Sequence, residues 1–144
     1  MSGATDISGA IRAANDAGRP ALVAFLTAGY PDRERFIEHL KQVASEADVV
    51  EIGVPFTDPM ADGVTIQRAS QGALEAGVSL RWILDELKQA DVGATPLLLM
   101  GYLNPMLSLG LETLAQDSAA AGVGGFIIPD LPYEESGPMR HALE

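Results

Sequence analysis

The sequence predicts an α/β fold: a parallel sheet whose strands are joined by helices. Three observations carry this. Four runs are apolar almost without interruption, as strands covered on both faces are. Between them, apolar residues recur at helical spacing. Aspartates and glycines punctuate those helical stretches where starts and stops belong. Regular strand–helix alternation implies right-handed crossovers between parallel neighbours.

A short N-terminal helix comes first, with Asp6 as its start and Gly18 as its stop. PALVAFLTAG (20–29) is the first strand, and Asp32 then opens a helix whose apolar face holds Phe36, Leu40 and Val43. VVEIGVP (49–55) is the second strand. The crossover after it is long. It holds a loop, the helical stretch TIQRASQGALEAG closed by Gly77, and a further helix carrying Leu80, Ile83, Leu84 and Leu87. TPLLLMGY (95–102) is the third strand, and Leu111, Leu114 and Ala115 mark a helix that ends at Gly122. GVGGFIIPDLP (122–132) is the fourth. The chain then stops within YEESGPMRHALE, inside what reads as one more helix, an ending expected of a cut rather than a finish.

The 144 residues support one domain spanning 1–144 and no linker. Two architectures fit: an open four-stranded sheet, or half of a (β/α)8 barrel, which needs roughly 200–250 residues to close. No run approaches the ~18 apolar residues of a membrane span, and the start lacks the basic-then-apolar pattern of a secretory leader. A cytoplasmic protein is expected. The absence of cysteine removes disulfides, thiolate catalysis and Cys-bound metals. A net charge of −11 argues against a nucleic-acid partner, because nothing would neutralise a phosphate backbone.

The chemistry concentrates in VVEIGVPFTDPMADG (49–63). Strand alternation places Val49, Glu51 and Gly53 on one face, so a carboxylate sits where apolar cover is expected. Desolvation favours the protonated acid, which is what a general acid near neutral pH needs. The competing readings are an arginine-paired glutamate and one at a frayed strand end. Asp58 and Asp62 follow just past the strand's C-terminal end, where parallel α/β folds hold their ligands. Beside Pro59 and Gly63, both can also serve as turn formers. Three nearby acids could hold magnesium, though no phosphate loop accompanies them.

The remaining groups narrow the chemistry. The two lysines, Lys41 and Lys88, lie in helical stretches, so a Schiff-base lysine at a strand end is not expected. His39 and His141 also lie in helical stretches and assemble no zinc set. Phe25, Tyr102, Ile127 and Pro129, at the other strand ends, could line an apolar pocket for a flat aromatic ligand or simply pack the core. Asn104 and Asp130 read as loop-shaping residues in strand-exit turns. GVGG (122–125) is too short for a phosphate-binding signal.

VVEIGVPFTDPMADGVTIQRAS resembles the signature of the tryptophan synthase alpha chain family. ALVAFLTAGYPD, PLLLMGYLNPML and GVGGFIIPDLPYEES resemble that family's first, third and fourth strands with their exits, in the same order. The resemblance implies a (β/α)8 barrel, of which this chain holds the first four units after an N-terminal helix. It implies cleavage of indole-3-glycerol phosphate into indole and glyceraldehyde 3-phosphate, with no metal and no Schiff base. By position in the motifs, Glu51 resembles the catalytic glutamate, and Asp62 the aspartate that takes the indole N–H. Phe25, Tyr102, Ile127 and Pro129 fall at or near the indole pocket. Asp58 and Pro59 belong to a loop beside the beta chain, the partner that receives indole and carries pyridoxal phosphate. The alpha chain itself is expected to need no cofactor.

The sequence departs from the family in lacking the later strands, the mobile sixth loop, and the glycines and serine that bind phosphate. Weak substrate binding and slow or absent turnover are therefore expected, since binding energy from a remote phosphate supports the chemical step. Open sheet edges and a bare inner face predict self-association of half-barrels. A catalytically silent assembly module is the alternative.

Overall fold

The computed structural model describes residues 6–144. Each expected strand forms: β1 (Val23–Thr27), β2 (Val49–Gly53), β3 (Leu97–Met100) and β4 (Val123–Ile127). They make one sheet in the order β1-β2-β3-β4, and every neighbouring pair is parallel. Sequential order means that each crossover steps the same way. Right-handed connections then put the crossover helices on one face of the sheet. An open doubly wound sheet would reverse direction partway; this one does not.

Seven helices accompany the strands among the described residues: α1 (Ile7–Asp16), α2 (Phe36–Glu46), α3 (Val64–Glu75), α4 (Leu80–Gln89), α5 (Leu103–Leu109), α6 (Leu111–Ala120) and α7 (Gly137–Leu143). Gly18, Gly77 and Gly122 each follow a helix end in the left-handed region that glycine enters without a Cβ penalty. Asp32 accepts the Glu34 N–H at 3.0 Å, in the turn that leads into α2. Asp6 occupies the N-cap position of α1 without making a side-chain cap.

The core lies between the sheet and this outer helical layer. Val50, Ile52, Leu97 and Leu99 meet Phe36, Leu40, Ile83, Leu84, Met106 and Leu114, all buried. Phe36, Leu40, Leu80, Ile83, Leu84, Leu87 and Leu114, expected from helical spacing, belong to it; Val43 and Leu111 pack against it partly buried, and Ala115 does not belong to it. α1 sits under the other face at the strands' N-terminal end, with the Ile7 Cδ1 3.1 Å from where a Cβ on Gly125 would lie.

Two expectations are corrected. The apolar runs implied burial on both faces, yet Val23, Phe25 and Ile127 on the inner face are exposed. Four strands do not surround an interior, so that face lacks the opposing strands a full barrel would supply. GYLNP was read as a strand-exit turn, but α5 begins at Leu103 and takes in Asn104. Asp130 accepts the Leu103 N–H at 2.9 Å, supplying from another loop the N-terminal partner that α5 lacks locally.

Candidate active site

Glu51 occupies the middle of β2 and is half-buried. Its register partners are Phe25 on β1 and Leu98 on β3, so the carboxylate emerges on the inner face between apolar neighbours. Among the described residues no cation pairs with it. The arginine-paired acid of this region is Asp48, one residue before β2. Arg19 grips both its oxygens at 2.7 Å, and the Leu22 N–H donates to it at 2.7 Å. Those bonds hold the Asp48 carboxyl down at about 2.

Two residues further along the same face, Gly53 leaves room for an aromatic ring. A Cβ there would meet the Phe25 Cζ at 2.5 Å, so the tip of Phe25 lies across the backbone at the end of β2. This close approach is the reason for glycine inside a strand.

The β2–α3 loop (54–63) is pinned at several points. Asp62 N–H donates to the Pro59 carbonyl at 3.0 Å, and Met60 N–H to the Asp58 carbonyl at 2.8 Å. Buried Ser70 on α3 brackets Phe56, accepting its N–H at 2.8 Å and donating to its carbonyl at 3.1 Å. Gln67 donates to the Asp62 carbonyl at 2.9 Å. From beyond β3, the Tyr102 hydroxyl accepts the Ala61 N–H at 3.0 Å and donates to Asp62 Oδ2 at 3.2 Å. The Tyr102 ring stacks on Phe56, with centroids 5.2 Å apart. Burial is the main force raising the Tyr102 phenol above its ordinary range, with the nearby Asp62 adding to it, so it stays a donor.

Phe25, Thr27, Gly53, Asp62, Tyr102 and Pro129 border one cleft at the C-terminal end of the sheet. Its enclosed volume is about 20 Å³, roughly that of one water, and it adjoins the uncovered inner face on which Phe25 is exposed. Four of the residues singled out from sequence therefore meet here: Phe25, Asp62, Tyr102 and Pro129. Glu51 and Ile127 share the inner face without bordering the cleft. Asp58 and Pro59 lie out along the loop, beside Met60, which is 80% exposed. Sequence reasoning missed Thr27, Ser70 and Gly53. Only Gly53 left a signal, as a glycine interrupting an apolar strand.

Lys88 is held on the outer layer by Asp117 at 2.7 Å, and Lys41 is exposed on α2. Neither approaches a strand's C-terminal end. Among the described residues no three His, Cys, Asp or Glu are grouped to hold a metal ion, and no helix is long and apolar enough to cross a membrane.

The family model for the tryptophan synthase alpha chain matches residues 11–144. A tryptophan synthase alpha chain from Desulfovibrio desulfuricans is 58% identical over 136 residues, covering 93% of this chain and 53% of that one. Its counterpart from Nitratidesulfovibrio vulgaris is 53% identical, covering 92% of this chain and 52% of its own. Among solved structures, the Legionella pneumophila alpha subunit superposes with a TM-score of 0.87 at 34% identity, over 99% of this chain and 55% of that one. Tryptophan synthase from M. tuberculosis superposes with a TM-score of 0.88 at 35% identity, over 95% and 55%. The chain spans about half the length of the curated relatives it matches.

Proposed function

The chain belongs to the tryptophan synthase alpha chain family, and on that premise we propose that it carries the acid–base half of a carbon–carbon lyase site. The substrate is indole-3-glycerol phosphate; the products are indole and glyceraldehyde 3-phosphate, in tryptophan biosynthesis. In this reading Glu51 delivers a proton to C3 of the indole ring, which turns the ring into an electron sink. The C3–glycerol bond then breaks, its electron pair restoring the aromatic ring. The adjacent substrate hydroxyl loses its proton to Glu51 as the aldehyde forms, so the proton count closes. Asp62 accepts the indole N–H and stabilises the positive charge on the protonated ring. No metal or cofactor of the chain's own takes part.

One observation carries this reading. An unpaired, half-buried glutamate on the inner face of β2 and a firmly held aspartate at the sheet's C-terminal end both adjoin Phe25, the first as its register partner and the second across the cleft that Phe25 borders. An indole-release assay tests it. Turnover that falls at least about a hundredfold in Glu51→Gln supports the lyase, in keeping with loss of a general acid. No indole release, with or without a beta chain, favours the silent assembly module.

Two partners complete the proposal. The first is a tryptophan synthase beta chain, which holds pyridoxal phosphate and meets the Asp58–Pro59 loop; the exposed Met60 beside it supports a docking role. The second is another half-barrel. Exposed Val23, Phe25 and Ile127 on the inner face, and a groove of about 780 Å³ beside β4, α6 and α7, support a second copy packing there. A cytoplasmic setting goes with this reading, while nucleic acid and membrane are not among its partners.

A further inference from the structure

We propose that Tyr102 is a positioning residue: its hydroxyl fixes the Asp62 carboxylate so that one oxygen, Oδ1, is left for a ligand N–H. The phenol has one proton and spends it on Asp62 Oδ2 at 3.2 Å, while its oxygen accepts the Ala61 N–H at 3.0 Å. A single group thus ties down two consecutive loop residues. The Tyr102 ring is itself immobile, 3% exposed and stacked on Phe56, so the hydroxyl is a fixed point rather than a swinging one. The Asp62 backbone is also engaged, its N–H on Pro59 and its carbonyl on Gln67. The free Oδ1 is what remains for substrate. A loop aspartate without this tie would sample several rotamers, and a misplaced acceptor costs much of what a hydrogen bond contributes.

This assignment rests on the reading of Asp62 as the indole acceptor, and the test separates the two. Binding of indole and of 1-methylindole, which lacks the N–H, is measured on the 144-residue chain, on Tyr102→Phe and on Asp62→Ala. The native chain is expected to prefer indole by about tenfold, the worth of one hydrogen bond to a charged acceptor. Asp62→Ala removes that preference. Tyr102→Phe also brings it close to one, while its affinity for 1-methylindole stays within about twofold; simple loss of packing would weaken both probes together. If Asp62→Ala removes the preference and Tyr102→Phe keeps it, the positioning role is overturned and the acceptor role stands. If Asp62→Ala changes nothing, the acceptor reading fails.

A second measurement needs no ligand. In Tyr102→Phe the Ala61 amide should exchange with solvent at least about tenfold faster, while the Ile52 and Leu99 amides of the sheet stay unchanged. An unaltered Ala61 rate overturns the proposal whatever indole does.

Discussion

Gly53 and Asp48 show how much single positions near β2 decide. Adding a methyl at Gly53 forces the Phe25 ring to move, because the two would sit 2.5 Å apart. The ring tip is free to swing toward the open inner face. Gly53→Ala should therefore cost no more than about 1 kcal/mol in urea unfolding, the low end for overpacking, while visibly shifting the Phe25 ring resonances. Asp48 has the opposite character, being locked by Arg19 and Leu22. Those bonds lower its carboxyl from 3.8 to about 2, so its contribution is full above 3.8 and lost as pH falls through about 2. Thermal unfolding of the native chain and Asp48→Asn should differ by a constant gap at neutral pH, closing as pH approaches 2. A gap that persists there would mean the stabilisation is not ionic. Glu51 was legible in the sequence because a lone acid in an apolar strand breaks pattern. The partner of Asp48 was not, since nothing local ties residue 19 to residue 48.

The elements around the site were legible to different depths. The strands announced themselves as nearly unbroken apolar runs, the long helices by period, and the helix stops by glycine itself. α5 did not, because a short helix after a strand holds too few turns to set a period, and its N-terminal partner, Asp130, comes from the loop after β4. The β2–α3 loop stood out in the sequence as a candidate site, but what holds it in place did not. Ser70 looked like an ordinary helix residue, yet its buried hydroxyl serves both polar groups of the Phe56 backbone. Ser70→Ala leaves those groups unpaired and should destabilise the chain by about 1–3 kcal/mol. Hydrogen exchange should locate the loss at Phe56 and the loop. Loss spread evenly over the sheet would point to packing instead.

At the scale of the whole molecule, the sheet is closed on its outer face and open on its inner one. Val23 is 42% exposed on an edge strand, so the isolated chain tolerates a charge there while a close-packed second copy would not. If half-barrels associate through this face, Val23→Lys should shift the chain toward monomer in size-exclusion chromatography without lowering its Tm. Unchanged elution would move the contact to the β4 side. On that side Ser118 on α6 has a buried hydroxyl with no partner among the described residues. Ser118→Ala removes an unsatisfied group and improves helix propensity, so the chain should gain about 1 kcal/mol. A loss of stability would mean that the hydroxyl is satisfied across an interface.

What the sequence determined by itself is what local chemistry encodes. Apolar runs and helical spacing set the order of elements, and the odd acids and the proline- and glycine-shaped loop singled out the candidate site. Membership in a family followed from the same stretches. What only the tertiary structure decided depends on residues far apart in the chain. The Tyr102 hydroxyl reaches back across about forty positions to Ala61 and Asp62, and Asp130 reaches back to α5. The openness of the inner face is likewise a property of strand number, not of any strand. Periodicity reports which side of an element is apolar; whether something covers that side is settled only when the sheet is assembled.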